Sequence, residues 1–203
     1  YTEENTLSLH DALPILLSAR GMPASVFVAP GFLNGGWMFN DRIIEAVRAA
    51  PEDFDLTSLR LGRHRLATSA DRVRVAGELV LALKHLPPSD RMERARELVE
   101  LAGGEPPSSP MMTDAQVAAL AGHGIEVGAH TVNHPILTAV DADEARREIV
   151  ESRARLEALT GSPVTSFAYP NGLPHRDYAR AHADMVRDAG FTLYYFGINL
   201  GAF

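Results

Sequence analysis

Two histidines four residues apart, His130 and His134, are the residues of this chain best placed to do chemistry. They lie in the segment Gly128 to Pro135, which follows the short apolar run 125–127 and is typical of a buried strand running into a polar turn. Neutral imidazoles at the end of a core strand can converge on one divalent metal, and imidazole suits zinc and its first-row neighbours. The alternative is a pair of surface histidines in a loop.

The context of the pair favours the metal site over the surface loop. A strand end precedes the pair, Gly128 allows a close approach of the backbone, and Pro135 closes the turn. If both imidazoles bind one metal, their ring nitrogens should approach to within roughly 3–4 Å of each other. A catalytic zinc would keep a third protein ligand and an open position for water.

The composition narrows the class of protein. The chain has 203 residues, no cysteine, and 26 acidic against 19 basic residues, which suits one domain without structural disulfides. It contains no basic stripe for nucleic acid, and no apolar run approaches the roughly 18 residues of a membrane span. Oligomeric state and compartment have no signature in the sequence, and the cell envelope and the cytoplasm are both compatible with it.

Hydrophobic periodicity predicts alternating strands and helices. Strands are expected over residues 24–29, 125–129, 164–168 and 192–196, with a weaker signal for strands within 53–67. Helices are expected over 39–49, 70–86, 90–102 and 178–189. Capping boxes are expected at Asp90 with Glu93 and at Thr113 with Gln116, and Asp141 with Glu144 is expected to cap a long helix. The alternation favours a parallel α/β sheet or barrel, with the helical pair at 70–102 as an insert covering one barrel face.

Three segments carry a family resemblance. Gly128 to Pro135 resembles the His-[Ser/Thr]-x-x-His motif of polysaccharide deacetylases, the NodB-homology or carbohydrate esterase family 4 domain. Ser166 to Gly172, about 35 residues on, resembles that family's next motif, often Phe-Arg-Pro-Pro-Tyr-Gly. Gly21 to Val28 is similar to the second strand of the domain and its preceding loop. The order and spacing of the three segments agree with the family over most of residues 16–195.

The resemblance implies both a fold and a reaction. The implied fold is α/β, an incomplete deformed (β/α) barrel of the NodB type with a helical insert. The implied reaction is metal-dependent removal of N-acetyl groups from an amino-sugar polysaccharide or a lipid-linked glycan. A metal would polarise the amide carbonyl and lower the pKa of a bound water, while a carboxylate base and an acid would move the protons. His130 and His134 are the implied ligands of that divalent metal, which is zinc, or cobalt or nickel in its place.

The second motif supplies the remaining candidate residues. By resemblance the backbone amide of Asn171 faces the oxyanion of the tetrahedral intermediate, and Tyr169 and Pro170 bind substrate. For Tyr169, a core aromatic stacked under the site is an equal alternative. Ala168 stands where the family often has Arg, so the Arg that orients the base is missing, as in branches with Phe-x-Tyr-Pro-x-Gly. Thr131 is expected to form a hydrogen bond within its own turn. The histidines outside the motifs, expected at the surface or at helix flanks, are His64, His85, His123, His175 and His182.

The catalytic carboxylates of the family have no counterpart in this sequence. Its first motif, Thr-Phe-Asp-Asp-Gly, should precede Gly21 and supply the base and the third ligand, but the chain contains no Asp-Asp pair. A Leu-x-His strand that supplies the family's acid should follow Phe196 and is absent too. Two alternatives therefore stand beside the deacetylase: a catalytically inactive glycan- or metal-binding fragment, and an unrelated metallohydrolase. A zincin is disfavoured because no Glu follows His130.

The first fifteen residues have a separate explanation. Residues 6–15 match the conceptual translation of a common short-read sequencing adapter, and residues 1–5 fit its upstream continuation through an eight-base index. We therefore expect residues 1–15 to be an assembly artefact and 16–203 to be a partial domain, truncated at both ends. The competing interpretation is that Glu3-Glu4 is a degenerate Asp-Asp motif. From about His10 the chain suits a helix, with Leu13 and Leu16 expected to be partly buried.

Overall fold

The computed structural model describes residues 9–104 and 111–196, which divide into two compact units. One unit comprises residues 9–34 and 111–196, and the other comprises residues 35–104. The helices, in chain order, are α1 (Leu9–Ala19), α2 (Phe39–Ala49), α3 (Ser69–Leu83), α4 (Pro88–Ala102), α5 (Asp114–Gly122), α6 (Ala142–Thr160) and α7 (Arg180–Asp188). The strands are β1 (Ser25–Val28), β2 (Asp53–Leu56), β3 (Gly62–Arg65), β4 (Glu126–Ala129), β5 (Ser166–Tyr169) and β6 (Leu193–Phe196). None of the described helices has the length and apolar character needed to cross a membrane.

The first unit is built on a parallel sheet with the strand order β1-β4-β5-β6. Each of these strands was predicted from its apolar run, and the four lie side by side with Val28 opposite Ala129 and Tyr169 opposite Phe196. The described strands form an open sheet rather than a closed barrel. The predictions of an α/β fold and of an incomplete barrel are therefore confirmed.

The long helix α6 forms the centre of the helical layer of this unit. It packs against α5, α7 and β4, and its apolar residues Ile149 and Leu156 are fully buried in the core with Phe167 of β5. The predicted cap is present, because the Asp141 side chain accepts a hydrogen bond from the Glu144 amide at 2.8 Å. The helix ends at Gly161, whose φ of 64° is readily adopted by glycine.

Gly128 allows β4 to pass closely between its two neighbours. A side chain at this position would collide with the aromatic ring of Phe27 on β1, and would lie 2.8 Å from the Ser166 hydroxyl on β5. The close backbone approach predicted at Gly128 is thus the packing of β4 against residues of β1 and β5. It brings the end of β4, and with it His130, into the middle of the sheet's carboxyl edge.

The second unit has its own apolar core around α2. This helix packs against α3 and α4, and the antiparallel hairpin β2–β3 contributes the alternating buried residues Phe54 and Leu56. The weak strand signal within 53–67 is therefore confirmed. The predicted insert at 70–102 corresponds to α3 and α4, which share this unit with α2 and the hairpin.

Three local predictions are wrong. Helix α4 begins at Pro88 rather than at Asp90, so Asp90 and Glu93 lie inside the helix and form no capping box. Proline is well suited to the first helical position, because the amide it lacks would have no partner there. On α3, apolar periodicity predicts one stripe through Val73, Ala76, Val80 and Leu83. The buried residues are instead Val75, Ala76, Leu79 and Leu83, and Val73 is exposed.

The third wrong prediction concerns α1. The helix forms as expected from about residue 10, but Leu13 and Leu16 are 45% and 60% exposed. The buried face instead carries Pro14 and, one turn later, Leu17, which packs against the core of the first unit. Residues 1–8 and 197–203, on which the remaining predictions about the ends of the chain depend, lie outside the described residues.

Candidate active site

His130 is the first residue after β4 and joins the carboxyl ends of three adjacent strands. Its backbone amide donates to the carbonyl of Val28 at the end of β1, at 3.0 Å. Its ring Nδ1 lies 2.8 Å from the carbonyl of Ala168 on β5. Since a carbonyl can only accept, Nδ1 must carry the proton, which leaves the Nε2 lone pair available to a ligand. The two sequence motifs are thus in direct contact through this hydrogen bond.

The turn from His130 to His134, here called the histidine loop, has an unusual backbone. Thr131 and His134 have φ values of 60° and 52°, in the left-handed region that side chains disfavour. Thr131 is fully buried, and its hydroxyl donates to the carbonyl of His130 at 2.5 Å. The predicted local hydrogen bond of Thr131 is therefore confirmed.

The histidine loop brings its two imidazoles together. Their ring centroids lie 4.6 Å apart with an interplanar angle of 67°. Burial lowers the pKa of His130, and the hydrogen bond to Ala168 raises that pKa by less. The neutral form, which is the form that binds metals, is therefore favoured near neutral pH. The two rings are arranged as a pair that one ion could bridge.

Glu148 supports the histidine loop from α6. Its Oε2 accepts hydrogen bonds from the backbone amides of Val132 and Asn133, both at 2.7 Å, and its Oε1 accepts one from the Asn133 side chain at 2.7 Å. The sequence analysis missed this residue. Its signal was a charged residue within the buried stripe of α6, between Ala145 and Ser152.

A second contact holds the same loop from the segment after β1. The Gly31 amide donates to the Val132 carbonyl at 2.9 Å. A Cβ at Gly31 would lie 2.6 Å from that carbonyl oxygen and would collide with Oδ1 of Asn133. Glycine is required here because the loop backbone approaches so closely.

The second motif forms a tight turn at the end of β5. The Gly172 amide donates to the Pro170 carbonyl at 2.8 Å, and Asn171 between them has a φ of 60°. Pro170 is buried and Asn171 is partly buried. The Asn171 amide donates no hydrogen bond to another described residue. This turn follows the strand whose Ala168 carbonyl binds His130, so the predicted donor lies at the same edge of the sheet as the histidine pair.

Tyr169 lies beneath this edge. It is 1% exposed, stacks on Tyr178 with ring centroids 4.0 Å apart, and meets Phe167 edge to face. Burial raises the pKa of its phenol above the usual value. The structure places Tyr169 in the core below the site, which is the second of the two roles that the sequence left open.

Two neutral imidazoles this close together are chemically suited to be two ligands of a zinc-like ion. Among residues 9–104 and 111–196, no group of three or more His, Cys, Asp or Glu side chains is arranged to hold a metal. Glu148 therefore does not complete the pair. A structural or catalytic zinc normally has at least three protein ligands, so these two histidines alone would not complete such a site.

Two of the histidines outside the motifs have hydrogen-bond partners within their own segments. His64 contacts the Leu61 carbonyl through Nε2 at 2.8 Å in the hairpin of the second unit. His182 lies in the first turn of α7, as expected for a helix flank, but it is buried, and its Nδ1 accepts a hydrogen bond from the Ala179 amide at 3.0 Å. It caps the helix rather than taking part in the site.

Fold and site together define an α/β protein whose candidate site residues lie at the carboxyl edge of a parallel sheet. The sequence profile of the family "Polysaccharide deacetylase" matches residues 90–194, which is 105 of the 203 residues. The match includes the histidine loop, Glu148 and the turn at Asn171. The chain belongs to the polysaccharide deacetylase family, as its motifs predicted.

Two solved structures are similar to parts of this chain. IcaB from Ammonifex degensii is 21% identical with a TM-score of 0.37, over 46% of this chain and 43% of that one. The Streptococcus pyogenes deacetylase PplD, in complex with acetate, is 16% identical with a TM-score of 0.37, over 90% of this chain and 69% of that one. The chain thus spans less than half the length of the IcaB structure. No protein of curated function matches it.

Proposed function

We propose that this chain carries part of the active site of a metal-dependent deacetylase. The substrate would be an N-acetylated amino-sugar polysaccharide or a lipid-linked glycan, and the reaction would be hydrolysis of its acetamide. Membership of the polysaccharide deacetylase family supports the class of reaction. The finer assignments of metal, substrate and residue roles rest on the geometry of the histidine loop and the turn at Asn171.

One observation carries the proposal, namely the paired imidazoles of His130 and His134 at the carboxyl edge of the sheet. The Ala168 carbonyl holds the proton of His130 on Nδ1 and so directs its Nε2 lone pair away from the strand. Hydrogen bonds of this kind from a ligand histidine to a carbonyl fix both tautomer and ring orientation in metal sites. We assign His130 and His134 as two ligands of zinc, or of cobalt or nickel in its place.

The remaining residues would bind and orient the acetamide. A bound divalent metal would supply a Lewis acid to the amide carbonyl and an activated water. The Asn171 amide, at the tight turn after β5, is assigned as a donor to the oxyanion of the tetrahedral intermediate. Losing such a donor typically costs about 2.7–4 kcal/mol of transition-state stabilisation. Pro170 would form part of the substrate-binding wall, and Tyr169 would support it from the core.

A second candidate function is a catalytically inactive glycan- or metal-binding domain. It is favoured because, within the part of the chain that the structure describes, no third His, Cys, Asp or Glu forms a metal-binding group with the pair. It is also favoured by the lack of an Asp-Asp pair in the sequence. The two functions share the histidine pair and differ in whether acetate is released.

Zinc titration of the unmodified chain and four variants tests the metal site. We expect isothermal titration calorimetry to detect zinc binding by the unmodified chain, and His130→Ala or His134→Ala to weaken it by more than about tenfold, since even residues behind a ligand contribute that much. His123→Ala, in the turn after α5, is the matched control and should bind zinc as the unmodified chain does. Equal zinc affinity in the unmodified chain and in a His130→Ala/His134→Ala double variant would rule out this site.

A further inference from the structure

Glu148 uses its whole carboxylate on the two residues between the histidines. It is 7% exposed, and both of its oxygens accept hydrogen bonds from Val132 or Asn133. None of the ion pairs found among the described residues includes this carboxylate. Its charge is therefore compensated by three N–H donors of the histidine loop, and such charge-assisted bonds are stronger and more directional than neutral ones.

These bonds act where the loop is under strain. Thr131 and His134 both have positive φ values, and backbone of this kind persists only when the surrounding structure holds it. The amides bound by Glu148 belong to the two residues between them, Val132 and Asn133. Releasing these amides would let the left-handed residues relax toward ordinary backbone angles and would rotate the rings away from each other.

Gly31 is a second partner that holds the histidine loop. The Val132 carbonyl accepts from Gly31, so the peptide unit on each side of Val132 has a partner outside the loop. Gly31 fixes the position of that backbone, whereas Glu148 binds two successive amides and one side chain with a single rigid group. Glu148 is the partner that can fix the orientation of the loop as well as its position.

We infer that Glu148 is a positioning residue for the histidine pair: it holds the loop in the conformation that places both imidazoles on one ion. It does so through the backbone, because no carboxylate of the described residues, that of Glu148 included, forms a metal-binding group with the two histidines. The expected effect of Glu148 on zinc binding rests on the function proposed above. Its effect on the conformation of the histidine loop does not, since the hydrogen bonds exist without a metal.

Three variants distinguish the positioning role of the Glu148 carboxylate from a general contribution to stability. Glu148→Ala removes all three hydrogen bonds. Glu148→Gln keeps an oxygen for the two backbone amides and loses the charge. Glu151→Gln is the matched control, because Glu151 lies one turn further along α6 and pairs only with Arg155 on the surface, at 3.1 Å.

Zinc affinity is the first readout. We expect Glu148→Ala to bind zinc about 10- to 100-fold more weakly, Glu148→Gln to show a smaller loss, and Glu151→Gln to show none. A purely structural role would lower the melting temperature without this graded effect on affinity. A folded Glu148→Ala variant that binds zinc as tightly as the unmodified chain overturns the inference.

Amide exchange in the absence of metal is the second readout. Hydrogen exchange of the Val132 and Asn133 amides should speed up in Glu148→Ala and stay slow in Glu151→Gln. If Glu148→Ala does not fold, Asn133→Ala replaces it, because it removes only the bond to Oε1. Unchanged exchange and unchanged zinc affinity in both Asn133→Ala and Glu148→Gln would then overturn the inference.

The two proposals fail in different ways. If the unmodified chain binds no zinc but its Val132 and Asn133 amides lose protection in Glu148→Ala, the metal site is wrong and the role of Glu148 in the loop stands. If the unmodified chain binds zinc and neither readout responds to Glu148, the metal site stands and the positioning role is wrong.

Discussion

Left-handed backbone is concentrated at the candidate site. Six described residues other than glycine have positive φ, and three of them, Thr131, His134 and Asn171, lie in the two motif turns. A β-branched residue such as Thr131 is particularly costly in this region, because its side chain crowds the backbone. Strain of this kind is often kept where a site needs it, so these turns support a functional role for the edge of the sheet on which they lie.

The hydroxyl of Thr131 should contribute measurably to the stability of the histidine loop. Thr131→Val keeps the shape and branching of the side chain but removes the donor to the His130 carbonyl inside a fully buried site. We expect the free energy of unfolding to fall by about 1–3 kcal/mol, measured by urea denaturation. Thr131→Ser, which keeps the hydroxyl, is the control and should lose less. A Thr131→Val variant as stable as the unmodified chain would show that this hydrogen bond is dispensable.

At the scale of helices, capping motifs in the sequence predicted the helix starts correctly where no neighbouring proline favoured a different start. Thr113 and Gln116 form the expected reciprocal capping box, and Asp141 caps α6, because both motifs depend only on neighbouring residues. The same motif at Asp90 was overruled by the proline pair before it, since Pro88 starts the helix two residues earlier.

The sequence was sufficient to predict the motif residues of the candidate site, but not the residue that supports the histidine loop. Spacing and family motifs predicted His130, His134 and Asn171 as site residues, and the structure brings the two histidines into contact. Glu148 could not be assigned its role, because its partners lie 15 and 16 residues earlier and its orientation depends on the docking of α6. A charge in an apolar stripe shows that a partner exists without showing which one.

The cap of α7 predicts a pH dependence of stability. Burial lowers the pKa of His182 from its ordinary value of 6.5, and its Nδ1 must be unprotonated to accept from the Ala179 amide. Between that lowered pKa and 6.5 the unfolded chain binds more protons than the folded one, so the free energy of unfolding falls as the pH falls through this window.

Replacing the titratable cap should remove this contribution. His182→Gln places an amide oxygen at the third helical position, where it can still accept from Ala179 and does not titrate. Urea unfolding near pH 7.5 and pH 5 should show a smaller loss of stability on acidification in this variant, and His175→Gln, an exposed histidine, should leave the loss unchanged. Identical pH curves for His182→Gln and the unmodified chain would refute this role of His182.

At the scale of the whole chain, the site belongs to one of the two units. His130, His134, Glu148, Asn171 and Gly31 all lie within residues 9–34 and 111–196. The second unit, residues 35–104, buries its own core around Ile43 and Phe54. The histidine pair and its supports can therefore be studied by substitutions within a single unit.

The 203-residue chain should release little or no acetate from N-acetylglucosamine oligomers, even with added zinc or cobalt. Among the described residues no carboxylate joins the histidine pair in a group that could hold a metal, and the sequence holds no Asp-Asp pair to act as ligand and base. Losing one member of a concerted catalytic group often costs nearly as much as losing all of them. Replacing residues 1–15 with a strand that bears Thr-Phe-Asp-Asp-Gly should first raise metal affinity above that of the unmodified chain, and activity should follow only when an acid is supplied as well. Robust, metal-dependent acetate release by the unmodified chain would contradict this expectation and would point to Glu3 or Glu4 as working carboxylates.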